Sequence, residues 1–153
     1  MAGYGVCSAC GFLIFPDEYT YWSYAAAFAG YDWSPVTSLG AYYSYGYSMI
    51  LFPVFLLCKN PVGAYRAAVG VNFALLLLAL FCLIRFIKKN CGEDGAPAVL
   101  FSAVAVFYAG HLFNAQMTLT ETLLFTLYVI AGVLLYEYLA NNDIRLLAAL
   151  LTV

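Results

Sequence analysis

Charge is what this sequence has least of. Lys, Arg, Asp and Glu make up 9% of the 153 residues, against about 25% in an ordinary soluble domain. With a formal net charge of −2 there is no basic stripe for nucleic acid, and no other strongly charged partner is implied. Histidine occurs once, at His111, and Cys7 and Cys10 form a C-x-x-C with no second one to match it, which argues against a zinc or iron–sulfur module. The pair keeps two readings, a metal or redox pair or a chance pair of small residues near a membrane. Five cysteines is an odd number, and Cys58, Cys82 and Cys91 stand singly, so no disulfide framework is specified. No period repeats, and no segment is simple enough to be a linker. The opening "MAGYGVCSACGFLIF" lacks the basic start and cleavage pattern of a signal peptide and is too short to span a bilayer.

What is abundant is apolar surface. At 65% hydrophobic residues, a chain of this length could not hide its side chains in a water-soluble core, so the bilayer is the expected solvent. Residues 67–84, "AAVGVNFALLLLALFCLI", hold Asn72 as their only strongly polar side chain and meet the length needed to cross roughly 30 Å of hydrocarbon. Arg85, Lys88 and Lys89 close that run, and the turn-like "NCGEDGAP" follows. Further apolar runs predict an all-α, polytopic transmembrane bundle with helices over about 63–87, 96–118, 121–140 and 144–153. The last is cut off by the end of the chain, and residues 1–62 form an outer-face loop with juxtamembrane helices.

The run 47–58, "YSMILFPVFLLC", is too short to span and carries Pro53 in its middle, so it reads as interfacial. Basic residues accumulate in cytoplasmic loops. Placing Arg85, Lys88, Lys89 and Arg145 inside gathers Asp17, Glu18, Asp32 and Glu121 on the outer face, but only if 47–58 does not cross. Between Tyr19 and Tyr47, tyrosines and both tryptophans alternate with Ser, Gly and Asp, a composition suited to the headgroup zone, with "GYDWSP" as a helix-ending turn.

Asp17 and Glu18 are the residues that most need a reason. Ionisable groups near membrane depth are costly and point to function. Adjacent residues on a helix diverge by about 100°, so the two cannot serve one atom. One reading has one of them as a general base in an aromatic, partly dry site, the other held by neighbouring donors or a metal ion. The other has both complementing a helix dipole after Pro16. His111 could bind phosphate or a metal, or could simply pack between helices. Asn114 and Gln116 could donate to sugar hydroxyls or satisfy a helix end.

The order of features, "PDEYTYW", then "YYSYGYSMILFPVF", then "NPVGAYRAAVGVNFALLLLALFCLIRFIKK", then "FNAQMTLTETLLF", resembles the amino-terminal part of a GT-C glycosyltransferase. Bacterial relatives of the protein O-mannosyltransferases and the aminoarabinose transferases of lipid A are the most similar. The resemblance covers about residues 15–139 and rests on order and spacing more than on any one motif. It implies a polyprenyl-phosphate sugar donor, an acceptor at the outer face of a bacterial cytoplasmic membrane, and a catalytic carboxylate at Asp17 with Glu18 completing the pair. It also implies a juxtamembrane segment over 42–58 and substrate contacts at Arg66 and Glu121. His111, Tyr21 and Trp22 join the candidate substrate-binding residues, and Mg or Mn is the one cofactor the reading admits. Membrane lipid is the other expected partner. With no helix before the Asp17 loop and no later helices, the expectation is a piece of a larger protein, inactive alone. The competing expectation is a small non-catalytic membrane protein that binds lipid or a partner helix.

Overall fold

A computed structural model describes residues 16–37, 45–92 and 95–152; Cys7, Cys10, Tyr42 and Tyr43 fall outside the described residues. The described chain is helical with no strand. In order come α1 (Pro16–Phe28), α2 (Ser34–Thr37), α3 (Gly46–Leu57), α4 (Pro61–Cys91), α5 (Ala96–Val106), α6 (Ala109–Asn114), α7 (Glu121–Asn141) and α8 (Ile144–Leu150).

Helix α1 starts where its sequence says it should. Pro16 lacks the N–H that a first turn would waste, and Asp17 and Glu18 sit in that turn against the positive end of the dipole. The "GYDWSP" segment ends it. Tyr31 N–H donates to the Ala26 carbonyl and Gly30 N–H to that of Ala27, both at 3.0 Å, with Gly30 at φ +85°, a left-handed conformation that glycine adopts without strain. Asp32 Oδ1 then accepts the Ser34 N–H at 3.0 Å and opens α2.

Helix α3 tolerates Pro53. The carbonyl deprived of its donor belongs to Met49, an exposed residue that water or headgroups can reach. Its 12 residues reach only about 18 Å, too short to cross hydrocarbon. Helix α4 opens with Asn60, whose side chain accepts the Val62 N–H at 3.1 Å, and with Pro61 in its first turn. It closes with Lys88 and Lys89 in the last turn and Gly92 at φ +67°.

Two helices, α4 and α7, are long and apolar enough to cross a membrane. Only 28% and 11% of their most apolar windows are buried within the protein. Leu77, Leu78 and Phe81 of α4 and Tyr128 and Leu139 of α7 instead point outward, an apolar surface that suits lipid better than water. The expected spans 63–87 and 121–140 fall inside α4 and α7. The expected continuous helix over 96–118 does not form. It breaks at Phe107 and Tyr108, where Tyr108 takes an extended conformation (ψ 143°) and its ring lies over Gly110, at 3.1 Å from where a Cβ would stand. The residues after α6 turn without helix until Glu121.

Helices α4 and α7 run parallel, as two contacts between them show: the Thr126 hydroxyl, early in α7, reaches the Leu75 carbonyl in the middle of α4 at 3.1 Å, and Lys89 pairs with Glu137 near the last turns of both. Just ahead of α7, the Met117 carbonyl accepts from Asn72 Nδ2 of α4. Asn90 and Asn141 also donate to the Glu137 carboxylate, each at 3.2 Å. Helices α5 and α6 return the chain between them. Glu18 and Glu121 therefore sit at one end of the bundle, with Lys88, Lys89 and Arg145 at the other. Across the boundary expected at residue 62, Tyr21, Trp22, Tyr47 and Leu51 share one hydrophobic cluster with Ala64, Tyr65, Ala68 and Val69 of α4.

Candidate functional site around Glu18

The site is written into α1 at helical spacing. Glu18, Tyr21, Trp22 and Ala25 stand at i, i+3, i+4 and i+7 and form one buried stripe. Asp17, a hundred degrees around the helix by geometry, is only half-buried. The adjacent carboxylates thus occupy different environments.

Glu18 is wholly buried, and three groups donate to its Oε1: the Tyr65 hydroxyl at 2.8 Å, the Thr118 backbone N–H at 2.7 Å and the Thr118 hydroxyl at 3.0 Å. The Thr118 oxygen in turn accepts the Trp22 indole N–H at 2.7 Å. Beside this chain, the Tyr47 hydroxyl donates to Asn72 Oδ1 at 2.9 Å while the Asn72 amide holds the Met117 carbonyl. Ser48 donates to the Tyr21 carbonyl at 3.0 Å, and the Tyr21 and Thr120 hydroxyls meet at 3.2 Å. Buried polar groups demand partners. Here the partners come from α1, α3, α4 and the 115–120 turn, so one network fastens the surface helices to the long ones.

Tyr21 and Tyr47 meet edge to face, with centroids 5.5 Å apart. Burial pushes the Tyr47 hydroxyl well above the usual tyrosine range, against the pull of its Asn72 bond, with Glu18 and Glu121 adding to the rise. Burial also raises Tyr21, opposed by the Thr120 bond and reinforced by Glu121 and Asp17. Asp32, in contrast, is held below the usual carboxylate range by its bond from the Ser34 N–H.

Trp22 and Tyr65 have a second duty. Their rings stack 5.9 Å apart and line a cleft of about 410 Å³ whose other walls include Phe55, Tyr31 and Trp33. Lys59 is the one charged residue among its described lining.

The structure gathers some of the sequence candidates and separates others. Tyr21 and Trp22 are buried in the network, while Glu121 is exposed at the start of α7. Arg66 is exposed one residue after Tyr65 and does not line the cleft. His111 lies face-on against Phe125 at 3.9 Å and edge-on to Tyr108. Gln116 donates to the Leu112 carbonyl at 3.1 Å and so completes a helix end. Among the described residues no group of three His, Cys, Asp or Glu side chains gathers as it would to hold a metal ion. Tyr65, Thr118 and Lys59 carry no motif that marks them in the sequence. The one available signal was Asn72, a lone amide in an apolar run, which had to be answered by a polar partner at the same depth. Comparison with protein-family models, curated proteins and solved structures finds no match to this chain.

Proposed function

We propose that this chain forms part of a polytopic membrane glycosyltransferase of the GT-C type, moving a sugar from a polyprenyl-phosphate donor to an acceptor hydroxyl or amine at the outer face. The observation that supports this most is the division of labour within the carboxylate pair. Glu18 is committed to Tyr65 and Thr118 and anchors α1, whereas its neighbour Asp17 stays half-exposed at the start of the same anchored helix. A base needs that combination of fixed position and access to the acceptor proton.

In the reaction Asp17 takes the acceptor proton, the acceptor oxygen or nitrogen bonds the anomeric carbon, and the bond from that carbon to the phosphate oxygen breaks, its electron pair leaving with the lipid phosphate. Arg66, exposed near the start of α4, offsets the charge on the departing phosphate. The parallel course of α4 and α7 fits a bundle with the Glu18 end outside and the Lys88–Lys89 end in the cytoplasm, following the bias of basic residues toward the inside.

Membranes carrying the complete enzyme of which this chain would form part, supplied with a panel of radiolabelled undecaprenyl-phosphate sugars, should transfer label to an acceptor. Asp17→Asn should cut that transfer by about 10²–10⁴-fold. Absence of transfer from every donor, or transfer indifferent to Asp17→Asn, would remove this function.

A further inference from the structure

The geometry assigns the cleft between α1, α3 and the start of α4 to an amphipathic anion, one apolar chain or ring system ending in a single phosphate or carboxylate. Its volume of about 410 Å³ lies within the roughly 300–1,000 Å³ typical of small-molecule sites. Trp22 gives it an aromatic floor together with Phe55 and Tyr65, both of which its ring contacts, with centroids 4.7 Å and 5.9 Å apart. Tyr31 extends that wall toward solvent, its ring 6.3 Å from Phe55. No acidic residue lines it among those described, and Lys59 is exposed at its edge. Aromatic walls alone would also suit a quaternary ammonium. A lysine at the same cleft repels that cation and selects an anion.

The same side chains tie occupancy to the carboxylate network. Trp22 offers its ring to the cleft and its N–H to Thr118, and Tyr65 offers its ring to the cleft and its hydroxyl to Glu18. A ligand that presses on these rings acts directly on the bonds that hold Glu18. Binding here does not depend on the transfer reaction proposed above, and its readout is binding, so either can fail alone.

Both tryptophans of the chain line this cleft, so intrinsic fluorescence reports it directly. The protein in phosphatidylcholine nanodiscs is titrated with octyl phosphate, octanol, octyltrimethylammonium and inorganic phosphate. Saturable change with octyl phosphate, at concentrations at least about tenfold below those of the other three, supports the assignment. Lys59→Ala should weaken octyl phosphate by roughly tenfold. Val62→Phe, at an exposed lining position, should block binding without lowering the melting temperature. Repeating the titration in phosphatidylglycerol nanodiscs identifies the source. Competition there means the bilayer's own anionic phospholipid fills the cleft, and unchanged affinity means a separate single-chain lipid does. Equal response to octanol, preference for the ammonium, full response to inorganic phosphate alone, or indifference to both substitutions would each overturn the assignment.

Discussion

Removing Glu18 tests the central physical claim, that this carboxylate is a structural anchor for α1. In Glu18→Ala the Thr118 N–H and the Tyr65 hydroxyl lose their acceptor inside the protein. A stranded buried donor costs about 1–3 kcal/mol, and the vacated side-chain volume adds to that, so the total is about 3–5 kcal/mol. Glu18→Gln keeps an acceptor oxygen in place and introduces an amide that the same donors cannot satisfy, so about 1–2 kcal/mol is expected. For a chain of this size roughly 2–4 °C accompanies each kcal/mol. Thermal unfolding in nanodiscs, followed by tryptophan emission, should therefore show Glu18→Ala melting about 6–20 °C below the parent and Glu18→Gln falling between them. Tyr65→Phe should recover part of the Glu18→Ala loss when the two are combined, because the second change removes one stranded donor. A Glu18→Ala protein melting within about 2 °C of the parent would refute the anchoring role.

Asp17→Asn should melt within about 4 °C of the parent while losing the transfer activity, since a half-buried carboxylate on the first turn contributes mainly its attraction to the helix dipole, about 0.3–1 kcal/mol. Impermeant thiol reagents applied from outside intact cells should label an engineered Ser34→Cys and miss the native Cys91, both exposed and at opposite ends of the bundle; the reverse pattern would invert the topology. Because the folded Asp32 carboxyl is held low, its contribution is present above the unfolded value of about 3.9 and is lost as pH falls through the folded one. Emission from Trp33 should thus stay constant above about pH 4 and shift below it. In Asp32→Asn, which keeps the Oδ1 acceptor, that shift should disappear.

Much of the helical layout was legible in the residues themselves. Apolar run length set α4 and α7, Asn60–Pro61 and Gly92 set the ends of α4, and Gly30 ended α1, because each signal acts within a few residues along the chain. The break at Tyr108 escaped, since hydropathy reads straight through "VFYAGHLF", and only the packing of an aromatic ring over Gly110 decides that the helix stops. Shortness and Pro53 were likewise visible in the residues of α3, whereas its packing against α1 and α4 is a property of the folded chain.

The carboxylate pair marks the boundary between the two kinds of information. Sequence alone required Asp17 and Glu18 to diverge, because successive residues on a helix point in different directions. It could not say which one turned inward. That choice belongs to the i, i+3, i+4 stripe meeting α4, and to Thr118, a hundred residues away, arriving with an N–H and a hydroxyl at hydrogen-bond distance from Glu18. A buried acceptor is tolerable only where such donors converge, and convergence of distant segments is a property of the folded chain.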